Sequence, residues 1–417
     1  MRNLQGFGLL LFIGVVLLIE YYSISALRFS VKNIKPIYRY TIITLYVVVM
    51  LLWLGILFGI PYLRTADMSK ELKNTLVSFS MGFLIMKTIA ALILLVDDVR
   101  RFFYWLVSYL PNVSADNMSV VNGMSRSEFM NKAALLISGS LFGTMLLGMA
   151  NRYNYKVRQV QLKFPNLPPA FDGLKIVQIS DVHSGSFNNK LAVNKGIQQI
   201  LDLNPDVIFF TGDLVNNTAD EVMPYIDVFS NLTAPLGVYS ILGNHDYGDY
   251  HQWDSAEEKE ENLAILKNAQ KKMGWNLLLN EAVTLQKGDD TISLIGVENT
   301  SFKNRFKSYG DLSKAYAQAK DSSFKILLSH DPSHWDGEVN TKYKDIDLTL
   351  SGHTHGFQFG VEIPWLKWSP VQYVYKQWAG LYQKDSQYLY VNRGFGFIGY
   401  PGRVGIMPEI TLLELRS

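Results

Sequence analysis

The chain has 417 residues, which is more than one typical domain needs, so we expect at least two structural units. Its formal net charge of +2 gives no strong basic field, and we therefore expect no nucleic-acid partner. Cysteine is absent, which excludes disulfides, thiolate metal sites and cysteine nucleophiles. Any metal ion must therefore be bound by His, Asp, Glu, Asn or backbone oxygens.

The first 150 residues contain the long apolar segments of the chain. Four of these segments are long enough to cross about 30 Å of hydrocarbon. We predict spans at about residues 4–27, 40–63, 74–96 and 133–150. A single segment of this kind is also typical of a buried hairpin in a soluble protein, but four in succession favour a membrane. We therefore predict an all-α transmembrane region of four helices over residues 1–150, followed by a globular domain over 151–417.

Two ionisable residues, Glu20 and Lys87, lie inside the predicted spans. An ionised group in hydrocarbon is costly unless it is paired or reaches water. One interpretation is a functional pair of the two residues. The other, which we favour from sequence, is that each side chain extends to the membrane surface or that the spans begin and end slightly elsewhere.

The orientation in the membrane is not decided by basic residues, because the loops on the two sides carry nearly equal numbers of them. The sequence from Arg126 to Lys132, followed by the fourth span, resembles a bacterial twin-arginine export signal. Ser127 stands where that signal has its second arginine, and an ordinary cytoplasmic loop is the alternative interpretation. We expect the globular domain on the extracytoplasmic side of the membrane.

From residue 151 onward, short apolar runs alternate with amphipathic stretches. We predict strands at 174–179, 206–210, 237–242, 291–297, 324–328, 346–350, 388–391 and 409–415, and helices at 188–203, 219–232 and 255–273. Strands that alternate with helices favour an α/β layered fold.

Metal-ligating residue types recur directly after these predicted strands. They are Asp181 and His183, Asp213, Asn244 and His245, His330, and His353 and His355. Each could singly be a helix cap or a turn residue. Five such positions in order, each after an apolar run, favour one common site, because ligands bind at the carboxyl ends of strands in α/β sheets.

The mixture of His, Asp and Asn suits a pair of divalent cations. Carboxylate and amide oxygens favour hard cations, while imidazole suits zinc and iron. A carboxylate can bridge two cations about 3.5–4 Å apart, and such a pair turns bound water into hydroxide near neutral pH. The two remaining histidines, His251 and His334, lie in polar stretches, and we expect both at the surface.

The ordered motifs resemble the full signature of the calcineurin-like metallophosphoesterases, and more narrowly the membrane-anchored bacterial phosphodiesterases among them. The motifs are Asp181-Val182-His183, Gly212-Asp213, Gly243-Asn244-His245-Asp246, Ser329-His330-Asp331 and Gly352-His353-Thr354-His355. The tail Asn392-Arg393-Gly394-Phe395-Gly396 also matches. The resemblance implies a calcineurin-like two-sheet sandwich flanked by helices.

The resemblance also implies a role for each site residue, with two divalent metal ions (Mn, Zn, Fe or Mg) as cofactors. One metal is expected at Asp181, His183 and His355, the other at Asn244, His330 and His353, with Asp213 between them. His245 is expected to be a catalytic general acid that protonates the leaving oxygen, and Asp246 to orient it by a hydrogen bond.

We therefore expect a membrane-anchored, metal-dependent phosphoesterase that hydrolyses a phosphodiester or pyrophosphate, such as a lipid or cell-envelope substrate, by attack of a metal-bound hydroxide. The alternative from another class is a non-catalytic membrane receptor or scaffold that retains the fold. A third possibility is a transport or sensing unit in the membrane that the hydrolase controls.

One aromatic run has no place in the metal motifs. It consists of Trp365, Trp368, Tyr373, Tyr375 and Trp378. Ordinary packing inside the domain is one interpretation. A lid or a membrane-facing wall for an amphiphilic substrate is the other.

Overall fold

The computed structural model describes residues 2–65, 68, 70–107, 126–319 and 321–417. The chain forms two compact units that divide between Leu146 and Leu147. The domain bounds of 1–150 and 151–417 remain a prediction.

The first unit is built from long apolar helices. These are α1 (Arg2–Ser30), α2 (Pro36–Thr65), α3 (Lys70–Val107) and α4 (Arg126–Ala150). Segments within or overlapping them are long and apolar enough to cross a membrane, at Gly8–Ser30, Pro36–Tyr62, Thr75–Phe103 and Glu128–Tyr153. Leu10, Leu52 and Leu136 remain 69%, 65% and 71% exposed, which suits side chains surrounded by lipid. The predicted all-α N-terminal region is confirmed.

Glu20 and Lys87 form a buried ion pair between α1 and α3. Lys87 Nζ lies 2.5 Å from Glu20 Oε1, and the two side chains are only 2% and 6% exposed. Tyr46 on α2 donates a hydrogen bond of 3.0 Å to Glu20 Oε2. Lys87 Nζ also lies 4.3 Å from the centroid of the Trp53 ring, within cation–π range. The expectation that these two residues extend separately to water was wrong, because each neutralises the other inside the helix bundle.

The second unit contains two six-stranded sheets and a separate two-stranded hairpin. The strands are β1 (Lys156–Lys163), β2 (Leu174–Ile179), β3 (Val207–Phe210), β4 (Val238–Ser240), β5 (Asn276–Leu277), β6 (Glu281–Lys287), β7 (Asp290–Gly296), β8 (Lys325–Leu328), β9 (Leu348–Ser351), β10 (Val361–Ile363), β11 (Leu366–Trp368), β12 (Gly380–Lys384), β13 (Gln387–Val391) and β14 (Glu409–Arg416). One sheet has the order β1-β14-β2-β3-β4-β5 and the other β12-β13-β9-β8-β7-β6, while β10 pairs with β11.

The two sheets pack face to face around an apolar core. Along β2, Leu174 and Ile176 point into this core, while Val177 and Ile179 point to the opposite face of the sheet. Strand β8 contributes Ile326 to the same core from the second sheet. Because both faces of these central strands are covered, they read in the sequence as continuous apolar runs. The expected α/β fold is confirmed.

Helices cover the outer faces of the sheets. They are α5 (Lys190–Asp202), α6 (Ile226–Phe229), α7 (Ala256–Lys272), α8 (Leu312–Ala317) and α9 (Asn340–Lys342). Helix α5 begins at an Asn189 cap and α7 at a Ser255 cap, each of which accepts a backbone N–H from the first turn. The helix predicted over 219–232 is instead two 3-10 turns followed by the short α6, and Pro224 interrupts it.

Candidate metal centre

The predicted ligands follow strands that end at one edge of each sheet. In the first sheet β2, β3 and β4 run parallel and lead into Asp181, Asp213 and Asn244. In the second sheet β8 and β9 run parallel and lead into His330 and His353. Parallel strands present their carboxyl ends together, so each sheet delivers its polar loops to a common edge.

The loops that carry these residues have an unusual backbone. Asp181, His183, Asp213, His353 and His355 all have a positive φ, between 48° and 72°. This left-handed region is sparsely populated by residues other than glycine, and Asp and His tolerate it better than most. Such strain persists where the surrounding structure enforces it, and it is concentrated at functional sites.

The first group of candidate ligands is Asp181, His183 and His355. One ligand atom from each lies within 4.8 Å of the others. His355 Nε2 is 3.2 Å from Asp181 Oδ1. All three residues are buried, and His355 Nε2 has no hydrogen-bond partner among the described residues. A buried ring nitrogen beside a carboxylate and without a hydrogen-bond partner is suited to a cation between them.

The second group is Asp213, His330 and His353, whose ligand atoms also lie within 4.8 Å of one another. Asn244 completes it, because its Oδ1 is 2.8 Å from His353 Nδ1 and 3.2 Å from His330 Nε2. The two ring nitrogens are 3.3 Å apart. Tyr250 Oη accepts a 2.9 Å hydrogen bond from Asn244 Nδ2, which directs the amide oxygen toward the histidines.

Hydrogen bonds on the far side of each ring fix which nitrogen carries the proton. His330 Nδ1 lies 2.7 Å from the Thr211 carbonyl oxygen, which can only accept, so Nδ1 is a donor and Nε2 is the nitrogen that carries the lone pair when the ring is neutral. His353 Nε2 lies 2.9 Å from Tyr375 Oη, and Tyr375 donates to Asp331 at 3.2 Å. His353 Nε2 is therefore the donor, and Nδ1 carries the lone pair. These lone pairs converge with the oxygens of Asn244 and Asp213, an arrangement that fits a divalent cation.

Asp213 lies between the two groups. Its Oδ2 is 3.1 Å from His330 Nε2 and 3.6 Å from His183 Nε2. One carboxylate facing a histidine of each group fits the bridging position between two cations. Glycines make this approach possible: Gly212 has φ of 96°, and a Cβ there would lie only 2.6 Å from the backbone N of Gly243.

Burial and neighbouring charges shift the pKa values of the candidate ligands. Burial lowers the pKa of His183, His353 and His355, which keeps these imidazoles neutral, as a metal ligand must be. At His330 burial acts in the same direction, but the neighbouring Asp213 raises its pKa to about 10. Burial opposes ionisation of Asp181, yet the adjacent His355 and His330 lower its pKa.

His245 lies beside the candidate metal ligands and lines the cavity above them. Its backbone N–H donates to Asp213 Oδ1 at 2.8 Å. Its ring Nδ1 lies 2.7 Å from the carbonyl oxygen of Asn216, so Nδ1 is the donor there and Nε2 is the nitrogen available for proton transfer.

The expected hydrogen bond between Asp246 and the His245 ring is not formed. The carboxylate of Asp246 instead accepts the backbone N–H groups of Asp213, Leu214 and Gly243, at 2.8–2.9 Å. Asp246 therefore holds the loops that carry Asp213 and Asn244, and the carbonyl of Asn216 orients His245. The orienting role that the family resemblance implied for Asp246 was therefore wrong.

Several supporting residues were not identified from sequence. Arg403 is fully buried, and its guanidinium donates to the carbonyl oxygens of His355 and Arg393 at 3.2 and 2.7 Å. His334 is also buried, between Ser329 Oγ at 2.8 Å and Glu338 Oε2 at 3.2 Å, so its expected surface position was wrong. His251 is exposed, as expected. No local sequence signal marks Arg403, because its partners are carbonyl groups of distant loops.

The aromatic run consists of a buried pair, an exposed pair and the half-buried Trp368. Tyr375 and Trp378 are 6% and 4% exposed and pack beside the site. Trp365 and Tyr373 are 83% and 77% exposed. Ordinary packing therefore accounts for the buried pair only.

Comparison with known families agrees with this geometry. Residues 174–357 match the family model described as calcineurin-like phosphoesterase. Residues 4–152 match the model described as a probable calcineurin-like phosphoesterase transmembrane domain. An uncharacterized metallophosphoesterase of Bacillus subtilis, YkuE, is 33% identical over 261 residues, which cover 61% of this chain and 84% of that protein. The chain belongs to the calcineurin-like metallophosphoesterase family.

Two further relatives are a transmembrane protein and a pyrophosphatase. A bovine transmembrane protein with a metallophosphoesterase domain is 30% identical, over 63% of this chain and 57% of its own length. The UDP-2,3-diacylglucosamine pyrophosphatase LpxG of Chlamydia trachomatis is 30% identical, over 60% of this chain and 86% of its own length. This membrane metallophosphoesterase is accordingly a hydrolase of phosphoric ester bonds, and divalent metals are the cofactors of its family.

Proposed function

We propose that this membrane metallophosphoesterase hydrolyses a phosphodiester or pyrophosphate in an amphiphilic, lipid-linked substrate. The observation that carries the proposal is a cavity of about 840 Å³ above the candidate metal centre. Its floor is formed by His183, Asp213, Asn244, His245, His353 and His355. A phosphate group held at this floor reaches both groups of candidate ligands.

The walls of the cavity combine cationic and apolar side chains. Lys303 and Arg305 line it, and Lys303 Nζ lies 5.3 Å from the centroid of the Tyr375 ring. Phe306, Val371 and Ile398 line it as well. The two cationic side chains, Lys303 and Arg305, favour an anionic group of the substrate such as a second phosphate. The apolar wall favours an acyl or isoprenoid chain.

Each chain residue has a definite task in this proposal. When bound, the two metals supply an activated water and neutralise charge on the phosphoryl oxygens. Lys303 and Arg305 hold the remaining anionic part of the substrate. His245, oriented by the Asn216 carbonyl, donates a proton from Nε2 to the leaving oxygen. Asp246 keeps Asp213 and the neighbouring Asn244 in place through the backbone N–H groups of Asp213 and Gly243.

The relative named as a diacylglucosamine pyrophosphatase supports a lipid-linked pyrophosphate as one substrate class. The membrane helices support the same class, because they confine the site to the neighbourhood of lipid headgroups. The non-catalytic alternative predicts a degenerate ligand set. In this chain every expected ligand position carries a ligating residue.

The test is hydrolysis by the purified full-length protein, supplied with Mn²⁺, Zn²⁺ or Mg²⁺, against bis-p-nitrophenyl phosphate, phospholipids, lipid pyrophosphates and nucleotide-sugar lipids. We expect turnover of every substrate to be lost in Asp213→Ala and to be retained in His251→Ala, which changes an exposed histidine outside the site. His245→Ala is expected to lose turnover of the substrates whose leaving group needs a proton. Turnover of soluble diesters only would contradict the lipid-linked class. A metal-loaded protein without turnover on any of these compounds would favour the non-catalytic receptor.

We also propose that the hydrolase domain lies on the extracytoplasmic side, on the basis of the export-signal resemblance at Arg126–Lys132. Because the chain has no cysteine, a single Ile265→Cys variant provides one reactive thiol on an exposed position of α7. In intact bacterial cells that express it, a membrane-impermeant maleimide is expected to label this thiol. Labelling that requires cell lysis would place the domain in the cytoplasm.

A further inference from the structure

The hairpin formed by β10 and β11 has one apolar and one charged face. The pairing is antiparallel, with Val361 opposite Trp368 and Ile363 opposite Leu366. These four residues share one face, because cross-strand partners point to the same side. Their neighbours Glu362 and Lys367, also opposite each other, point to the other side.

The charged face is the one that binds to the rest of the domain. Glu362 Oε1 lies 2.6 Å from Arg393 Nη2, and its Oε2 lies 2.5 Å from Arg158 Nη2. Lys367 Nζ donates to the carbonyl oxygen of Ala379. This arrangement reverses the ordinary one, in which a strand buries its apolar face. The apolar face is therefore left outward, with Val361, Ile363 and Leu366 at 38%, 41% and 46% exposure.

The exposed apolar surface continues from the hairpin to the mouth of the cavity. Trp365 at the hairpin turn is 83% exposed. Tyr373 is 77% exposed, and its Oη accepts a 3.4 Å hydrogen bond from Trp368 Nε1. The next residue, Val374, is 59% exposed and lines the cavity above the metal centre. We define the hairpin patch as Val361, Ile363, Trp365, Leu366, Tyr373 and Val374, which are exposed, together with the half-buried Trp368.

We propose that the hairpin patch inserts into the interfacial layer of the lipid bilayer. Large outward-facing apolar groups on a folded domain mark an interaction surface. Trp and Tyr are the side chains that concentrate at the headgroup level, because their rings are apolar and their edges form hydrogen bonds. Lys376, next along the chain after Tyr375, is exposed, and it suits the anionic headgroups beside such a surface.

The short connection between the membrane helices and the domain identifies the bilayer as the partner of the hairpin patch. Only residues 151–155 separate the last residue of α4 from the first residue of β1. Five residues span at most about 18 Å of extended chain, so the domain begins close to the membrane in which α4 is embedded. Insertion of the hairpin patch adds a second attachment of the domain to the bilayer, besides the chain that leads from α4.

The position of Val374 gives this attachment a consequence for binding. Since Val374 belongs both to the hairpin patch and to the cavity wall, insertion places the cavity mouth at the lipid surface. An amphiphile then moves from the bilayer to the metal centre without exposing its chain to water.

The absence of cysteine allows a direct test on the full-length protein. Ile363→Cys and Ile265→Cys each introduce one thiol, at isoleucines with 41% and 43% exposure, one in the hairpin patch and one on α7. Each variant is labelled with an environment-sensitive fluorophore and reconstituted in vesicles of phosphatidylcholine and phosphatidylglycerol that contain a nitroxide-labelled lipid. We expect quenching at position 363 to exceed quenching at position 265 by about twofold or more.

A second pair of substitutions links the quenching to the aromatic side chains. Adding Trp365→Ser and Tyr373→Ser to the Ile363→Cys protein is expected to reduce its quenching to the level at position 265, with an unchanged melting temperature. Equal quenching of the two original labels would overturn the proposal. So would protection of the label at position 363 from iodide without quenching by the lipid, since that result indicates a second copy of the chain on the patch.

Discussion

Tyr375 Oη lies 2.9 Å from Nε2 of His353, on the side of the ring opposite the candidate metal. Because Tyr375 donates its own proton to Asp331, it must accept one from His353. The hydroxyl thus fixes the ring tautomer that exposes Nδ1 to Asn244 and His330. Tyr375 is a positioning residue that acts through His353.

The first prediction concerns this hydroxyl. We expect Tyr375→Phe to weaken metal binding by about 10- to 100-fold, as loss of a partner behind a metal-bound histidine typically does. The measurement is competition for Zn²⁺ or Mn²⁺ with a calibrated chelator. Tyr373→Phe removes an exposed hydroxyl two positions earlier and should leave metal affinity unchanged. Equal affinities in the two variants would show that Tyr375 only fills space.

The second prediction concerns the proton on His330. In the metal-free protein the pKa of His330 is raised to about 10, because Asp213 beside it outweighs the effect of burial. Near pH 7 the imidazole therefore carries a proton that a metal ion at Nε2 must displace. Apparent affinity is expected to fall about tenfold for each unit that the pH falls below this pKa.

Calorimetry in two buffers with different ionisation enthalpies measures the released proton directly. The exposed-site variant His251→Gln should release as many protons as the unmodified chain. Metal binding without proton release at neutral pH would mean that His330 is already neutral.

The third prediction separates the two roles first assigned to the pair His245 and Asp246. His245→Gln is expected to reduce turnover of an alkyl phosphodiester by about 10²- to 10⁴-fold, because general acid catalysis is lost. The loss should be much smaller for bis-p-nitrophenyl phosphate, whose leaving group needs no proton. Equal losses on both substrates would indicate that His245 contributes binding instead of a proton.

Asp246→Asn should behave differently, because its carboxylate accepts several buried backbone N–H groups. An amide nitrogen cannot accept them, and we expect a loss of about 2–3 kcal/mol in the free energy of unfolding. The residual activity should keep the pH profile of the unmodified protein. Asp254→Asn changes an exposed aspartate and serves as the control. A shifted pH profile without destabilisation would restore the orienting role.

The fourth prediction concerns the membrane region. Glu20→Gln or Lys87→Met alone leaves one buried charge without its partner, and breaking a buried pair costs about 3–5 kcal/mol. The double variant removes both charges and should be closer in stability to the unmodified chain. Thermal unfolding of the detergent-solubilised protein measures the stability of the two single variants and the double variant. Additive losses in the double variant would show that the two residues act independently.

The sequence was sufficient to predict the central strands and the ligand loops. β2 was predicted at its observed bounds, because both of its faces are buried and an uninterrupted apolar run leaves little ambiguity. The residues after it are polar in a position where the chain must leave the core. Asp181 and His183 are therefore recognisable as candidate ligands in the sequence as well as in the structure.

Edge strands and distant partners were not predictable in this way. β1 is an edge strand with mostly exposed or half-exposed side chains, and its sequence has no apolar face that marks a strand. The role of Asp246 depends on which backbone N–H groups fold around it, and that of Arg403 on carbonyl groups from other loops. The pairing of Glu20 with Lys87 requires knowing which helix faces meet. Tertiary packing determines each of these contacts, and the residues adjacent in the sequence do not indicate them.

The candidate ligands come from both sheets, and this origin affects the energetics of the whole domain. Asp181 and His353 are 172 positions apart in the chain, and they follow β2 and β9 of different sheets. A pair of ions bound by both would close a very long loop and reduce the conformational freedom of the unfolded chain, as a disulfide does elsewhere. In a polypeptide without cysteine, chelation would then loosen the sandwich in the same step that abolishes hydrolysis.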